Sequence, residues 1–521
     1  MIKRQISAPT WGTYRSIQGF YQTLNAGARR AASAALDART LIVFCGAFLL
    51  YFFSAAPTVY NLDSAELTTA AATGGIVRAT GYPLYLMLGN LWAMIPIGDV
   101  GFRLNLFSAF NGALTLALAE RILRRWGVGF WATLGALGLL ATSTFFWGMA
   151  LIAEVYTLHT ALMAALILAL LRWKEQPTVG RLALVGLIGG LSMGNHLATV
   201  LLVPGALVFV LTSASWRRVL QWRTISLVTL ACLVGLSVYL YLPWRYAAQP
   251  AFNYAGTYDA ELAFQPADLS AWEGIWWLVS GRAFAGQMFA YRGAELWGEA
   301  GRFGAQLARS FFTLGVGPGL LGLYLMVKRK PGEALMLVLM FASSAAFYIG
   351  YRVIDKETMF LPAYLVWALW VGYGYQGLVD WMKEVQPEQA HLWVRKVLQG
   401  AMAGLVLLAA AWNWSLVDLS HDRSARRLGE AILREVEPGA IVFGWWDTVP
   451  VIEYLQLVEG QRPDVLAVNR FLISSADVEL AIRANAGLRP VYIDGRPSNL
   501  PGNLKSEKSG PLYQILLAEQ P

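Results

Sequence analysis

The chain has 521 residues, 56% of them hydrophobic and only 14% charged, with a mean hydropathy of +0.47. Soluble domains carry about 25% charged residues, so this composition excludes a soluble globular protein and puts most of the chain in lipid. The net charge of +8 then reads as a topology signal rather than a nucleic-acid footprint, and no nucleic-acid partner is expected.

Residues 1–40 hold Lys3, Arg4, Arg15, Arg29, Arg30 and Arg39 against one acid, Asp37. They read as a cytoplasmic N-terminal tail, with a basic transit peptide as the rival. Apolar runs predict about eleven membrane spans: 41–58, 102–123, 127–148, 151–171, 181–194, 196–212, 224–243, 311–327, 334–351, 359–379 and 398–418. Most approach the roughly 20 residues that cross a bilayer. Basic clusters at Arg121-Arg124-Arg125, Arg172-Lys174-Arg181, Arg217-Arg218-Arg223, Lys328-Arg329-Lys330 and Lys383-Arg395-Lys396 separate them. The positive-inside rule puts every cluster, with the N-terminus, in the cytoplasm of a bacterial inner membrane or its equivalent. A crossing by 82–97 would break that pattern, so this segment is expected to lie in the outer interface or to re-enter.

Several tryptophans end apolar runs (Trp126, Trp147, Trp173, Trp222, Trp244, Trp381), where amphipathic rings favour the membrane interface. Cys45 and Cys232 lie inside such runs and read as core thiols.

Two outer loops follow from this topology, 59–101 and 244–310, the second with interfacial helices. The membrane domain is thus 41–420. From 421 the composition changes. Leu428, Ile432 and Val436 recur every four residues. Strands are predicted at 440–446, 464–468, 490–493 and 512–517, and helices at 448–459 and 475–486. Residues 421–521 are therefore expected to form a small extracytoplasmic α/β domain with a parallel core.

The first outer loop carries Asp63 and Glu66, three residues apart and so on one face of a helix. Asp63 has a rival reading as the N-cap of a helix starting at Ser64. Polar groups at the outer ends of other spans face the same compartment: Glu154, Tyr156 and His159; Asn195 and His196; Arg245; Arg352, Asp355, Lys356 and Glu357. Two acids, histidines and several cations suit transfer of a sugar from a lipid phosphate. A carboxylate takes the proton of the attacking hydroxyl, and fixed cations meet the charge growing on the phosphate. Asp63, Glu66 and Glu154 also offer oxygens to Mg²⁺ or Mn²⁺; no other cofactor is indicated, and a metal is left open. A transporter or flippase for a lipid-linked substrate would place its ionisable groups near the bilayer middle. A non-catalytic scaffold is the other alternative.

The combination Asp63-Ser64-Ala65-Glu66, Gly81-Tyr82-Pro83-Leu84-Tyr85, Gly98-Asp99-Val100-Gly101-Phe102-Arg103-Leu104-Asn105, Glu154-Val155-Tyr156, Gly194-Asn195-His196 and Tyr454-Leu455-Gln456…Glu459-Gly460-Gln461-Arg462-Pro463-Asp464-Val465 resembles the protein O-mannosyltransferase-like family of the GT-C superfamily. The resemblance implies a helical GT-C fold, an outward-facing site, a polyprenyl- or dolichyl-phosphate sugar donor and inversion at the anomeric carbon, with Asp63 as base. The acceptor would be a hydroxyl of protein, glycan or lipid, with membrane lipids as surroundings. Glu66 would assist Asp63. Tyr82, Glu154, Tyr156, His159, Asn195 and His196 would contact sugar or acceptor. Arg78, Arg245, Arg352 and Lys356 would meet the lipid phosphate. The family's usual glycine is Ala65 here, and its His-Pro-Pro is Arg78-Ala79-Thr80, which leaves sugar and acceptor open.

Overall fold

A computed structural model describes residues 38–213, 216–385, 388–497, 500 and 503–518. The expected N-terminal tail lies almost wholly outside the described residues.

Helix Val100–Arg125 sets the long axis. Asp99 starts it by accepting the Phe102 N–H at 2.8 Å, and Arg124 and Arg125 end it. A capping carboxylate and terminal cations suit the two ends of the helix dipole. At 1.5 Å per residue its length is about 39 Å, enough to cross a bilayer. The chain returns through Phe130–Ala141 and Thr144–Met149, then descends again as Val155–Glu175. Arg125 pairs with Glu175 at the lower ends, and Lys174 meets Glu333 at 3.0 Å. Nearer the opposite end the Glu154 N–H donates to Ser108 Oγ at 3.0 Å. One end of the bundle is therefore basic. The other gathers Asp63, Asp99 and Glu154.

Among the described residues, five helices are long and apolar enough to cross a membrane: Val100–Arg125, Val155–Glu175, Trp222–Ala247, Pro331–Gly350 and Trp393–Val417. Ala38–Ser54, Phe130–Ala141, Val179–Asn195 and Leu197–Leu211 are shorter apolar helices. The chain is an integral membrane protein. Helix Leu361–Val385 runs through the middle, buried from Leu361 to Tyr375.

Several spans depart from the expected shape for local reasons. The run 127–148 is two helices, because Thr142 Oγ1 and Ser143 Oγ bond back to the carbonyls of Gly138 and Leu140, both at 2.8 Å. Such bonds compete with the helix ladder. Residues 196–212 open as a 3₁₀ turn, Leu197–Leu202, ahead of Pro204. Residues 224–243 tighten over Ser237–Leu240 ahead of Pro243. Proline supplies no N–H to the preceding turn. Helix Pro83–Ala93 has 11 residues and spans only about 16 Å, too short to cross.

Two expectations about side chains are corrected. Trp126, Trp147 and Trp173 are 7%, 0% and 2% exposed and belong to the core, whereas Trp222, Trp244 and Trp381 are exposed. Cys45 is exposed and Cys232 half-buried. A helix face turned to lipid is as apolar as one turned inward, so an apolar run does not separate the two.

A hairpin, β1 (Gly256–Tyr258) and β2 (Phe264–Pro266), lies in the loop 244–310. The C-terminal region places helix Ser424–Glu435 before β3 (Ile441–Gly444), then helix Val449–Leu457, β4 (Leu466–Asn469), helix Ser475–Asn485, β5 (Val491–Ile493), β6 (Leu504–Ser509) and β7 (Leu512–Leu517). The sheet order is β4-β3-β5-β7-β6, with β3 parallel to β4 and β5 and the last three antiparallel. The expected parallel core is there; the hairpin and β6, whose exposed polar positions hide the strand pattern, are additions. Helix Val449–Leu457 packs on helix Asp63–Thr73, and Val59 and Ala65 share an apolar cluster with Ile432, Ile452 and Leu455.

Candidate active site

The site is built on helix Asp63–Thr73. Its alanines favour a helix, and Gly74 ends it in the left-handed region at φ 66°, donating to the Ala70 carbonyl. That conformation suits glycine. Arg245 Nε donates to the Gly74 carbonyl and Nη2 to that of Thr73 at 3.4 Å. A cation there complements the negative end of the dipole. Tyr241 Oη adds a bond to the Gly75 carbonyl at 2.8 Å. At Gly75 a Cβ would stand 2.7 Å from the Phe252 carbonyl oxygen, so the Gly-Gly pair lets the chain at Phe252 close on the end of this helix.

Asp63 is the first residue of the helix; Leu62 is the cap position, and no side chain caps the end. The Asp63 carboxylate is therefore not consumed by its own backbone. Its Oδ1 accepts from Arg78 Nη2 and from Trp446 Nε1, the latter at 3.0 Å. Among the described residues no donor meets Oδ2, and the side chain is 40% exposed. Arg78 also donates its main-chain N–H to Glu66 Oε1 at 2.9 Å and approaches Oε2 with Nε at 3.3 Å. Its guanidinium carbon lies 4.2 Å from the centre of the Trp446 ring. Burial disfavours the Arg78 cation, but the charges of Asp63 and Glu66 outweigh that and hold it protonated. Burial pushes the Glu66 carboxyl up to about 8, against the pull of Arg78.

These groups open on a cavity of about 880 Å³. Its polar wall includes Asp63, Arg78, Tyr82, Glu154, Tyr156, His196, Arg352 and Asp355. Phe145, Met149, Ile152, Leu201, Phe347 and Met359 make an apolar flank, and Trp446 and Phe471 reach in from the C-terminal domain. Burial and the charge of Asp63 push Glu154 well above the ordinary carboxyl range and Asp355 in the same direction. The His196 ring lies 5.7 Å from Tyr82 and 5.8 Å from Tyr156. Arg352 pairs with Glu295 at 2.6 Å and lies over the Tyr291 ring at 4.5 Å.

The structure thus brings Asp63, Arg78, Tyr82, Glu154, Tyr156, His196, Arg352 and Asp355 to one cavity. The other residues singled out from the sequence do not line it. Glu66 sits behind Asp63, 2% exposed, on Arg78. His159 is buried, its ring 5.2 Å from His196 and Nδ1 3.5 Å from Thr199 Oγ1. Asn195 donates to the Val155 carbonyl at 3.2 Å. Lys356 is buried on Glu299 at 2.6 Å, and Arg245 closes helix Asp63–Thr73. The principal residue not anticipated is Trp446. Its sequence signal is the Trp445-Trp446 pair directly after β3, beside Asp447, which itself accepts from Thr448 Oγ1 at 3.2 Å and does not line the cavity. Among the described residues no group of three His, Cys, Asp or Glu side chains is placed to hold a metal ion. Between Asp63 and Glu66, where a shared cation would sit, stands the Arg78 guanidinium.

A helical membrane bundle whose 59–101 segment and C-terminal α/β layer close over an acid-bearing cavity is a GT-C-like fold. The crystal structure of ArnT from Cupriavidus metallidurans bound to undecaprenyl phosphate superposes with a TM-score of 0.60 over 91% of this chain and 97% of that one, at 13% identity. Its apo form gives 0.57 over 92% and 98%. Residues 63–220 match the family described as Protein O-mannosyl-transferase TMEM260 N-terminal domain. The mouse Protein O-mannosyl-transferase TMEM260 is 28% identical over 223 residues, 42% of this chain. The aligned part spans about a third (32%) of that relative's length.

Proposed function

We propose that the chain is an inverting membrane glycosyltransferase that moves a sugar from a polyprenyl phosphate to a hydroxyl of a protein, glycan or lipid acceptor, mannose onto protein being the reaction its mouse relative's name suggests. Residues 41–420 form the membrane platform and 421–521 a domain on the extracytoplasmic side. The similarity to a protein crystallised with undecaprenyl phosphate and to a named O-mannosyl-transferase supports the class.

The observation that carries the reading is Asp63 on the wall of a cavity that also holds Arg78, Arg352 and an apolar flank, with both of its donors on Oδ1 and none on Oδ2 among the described residues. Arg78 and Trp446 hold Asp63 through Oδ1 and leave Oδ2 to take a proton from an attacking hydroxyl. The acceptor oxygen attacks the anomeric carbon, its proton passes to Oδ2, and the bond from that carbon to the phosphate oxygen breaks with its electron pair leaving on the lipid phosphate. Arg352 meets that charge. The apolar flank takes the first prenyl units, and Tyr82, Tyr156, Glu154 and His196 hold sugar and acceptor.

Purified protein incubated with radiolabelled polyprenyl-phosphate sugars and hydroxyl acceptors should convert a donor to glycosylated product and free polyprenyl phosphate. Asp63→Asn should abolish transfer with an unchanged melting temperature. Full transfer by that variant would overturn the reading.

A further inference from the structure

We infer that Trp446, from the C-terminal domain, is a positioning residue for Asp63, so that the α/β domain completes the active site; this rests on Asp63 being the base. One indole touches both members of the Asp63–Arg78 pair. Its Nε1–H donates to Asp63 Oδ1 at 3.0 Å, and its face lies 4.2 Å from the Arg78 guanidinium carbon. With Arg78 and Trp446 both on Oδ1, the carboxylate is fixed about its terminal torsion. That torsion is otherwise broad, and Oδ2 is the oxygen left to face the cavity.

The indole is itself held from two sides. Tyr254 packs edge-on at 5.3 Å and Phe471 at 5.0 Å. Tyr254 is tied to the same domain through Glu453 and through Asn469 Nδ2 at 3.4 Å. Trp446 is 9% exposed, so the ring has little freedom to turn away. A base held within a few tenths of an ångström of its productive position is worth orders of magnitude in rate.

Trp446→Phe keeps an aromatic face for Arg78 and removes the donor together with part of the indole's bulk, which the packing control below accounts for. It should lower kcat about tenfold to a hundredfold, the scale of one hydrogen bond to a charged group, while the donor KM and the melting temperature stay near wild type. Leu472→Ala provides a packing control in the same apolar cluster. Its cavity should lower the melting temperature but leave kcat intact when assayed well below that temperature. The inference is overturned if Trp446→Phe retains wild-type kcat, or if Leu472→Ala loses as much kcat as Trp446→Phe. Asp63→Asn run alongside separates the two readings. If it is inactive while Trp446→Phe is fully active, the base stands and only the positioning role falls. If Asp63→Asn is active, the base itself falls.

Discussion

Arg78 reaches back over eleven intervening residues to give Glu66 its main-chain N–H, 2.9 Å from Oε1. The acid behind the catalytic candidate is thus an anchor for the loop that carries the cation, rather than a second group in the cavity. A buried main-chain donor left without an acceptor costs about 1–3 kcal/mol. Glu66→Ala should lose roughly that much stability and most transfer activity, because Arg78 loses its anchor. Glu66→Gln keeps a carbonyl oxygen for the N–H and should melt close to wild type. Thermal melts in detergent check both; equal melting of the alanine and wild-type proteins would refute the anchor.

The C-terminal domain is fastened at a second place. Arg426 forks onto Glu459 at 2.6 and 2.7 Å and reaches Asp99, the cap of helix Val100–Arg125, at 3.4 Å. This gives the Glu459-Gly460-Gln461-Arg462 motif and the Gly98-Asp99 motif one shared function, joining the α/β layer to the bundle. Bidentate geometry is specific to arginine. Arg426→Ala should cost about 1.5–3 kcal/mol, and Arg426→Lys should recover only part of it. Limited proteolysis near residue 420, faster in both variants, would report the loosened joint; unchanged cleavage would argue that the domain is held by apolar contacts alone.

Burial also sets a pH dependence. Glu66 and Glu453 are each pushed up to about 8, in both cases first by burial. Between their ordinary value of 4.5 and about 8 the folded chain keeps protons that the unfolded chain has released. Stability must then fall as pH rises through that window. Melting temperature should therefore be higher at pH 6 than at pH 8.5, and Glu453→Gln should flatten the slope. A melting temperature that climbs steadily over this range in wild type would contradict the assignment.

Much of this architecture was legible in the residues. Apolar run lengths gave the bundle, charge placement kept helix Pro83–Ala93 out of the crossing set, and the D-x-x-E spacing put two acids on one helix face. Side-chain direction was not legible. His159, Asn195, Lys356 and Arg245 looked available because polar groups in apolar surroundings are rare, yet three of them are engaged by a distant carbonyl or carboxylate and His159 by contacts with Thr199 and His196. Trp446 was hidden for the opposite reason: at the end of a buried strand a tryptophan looks like core. Its contact with Asp63 spans 383 residues, a separation no local pattern encodes.

Gly101 gives the sharpest test of how the segment leading to Asp63 is seated. It lies in the first turn of helix Val100–Arg125, directly under the strand of chain leading to Asp63. A Cβ built there would stand 2.1 Å from the Val59 nitrogen and 2.6 Å from its Cα. Both are backbone atoms, so no rotamer change relieves the clash. The Gly101 N–H also donates to Tyr454 Oη at 3.2 Å, so the same residue touches the C-terminal domain. An alanine is normally the better helix former by about 1 kcal/mol, and at an open position Gly→Ala would stabilise. Here overpacking costs about 1–3 kcal/mol or more and must displace residues 58–59, the latter four positions before Asp63. Gly101→Ala should therefore both destabilise the protein and depress kcat. Gly404→Ala, on a helix away from the cavity and with nothing within 4 Å of the added carbon, should do neither to any comparable degree. If the two alanines behave alike in melting and in turnover, the close approach of Val59 to the helix start is not a feature of the folded protein.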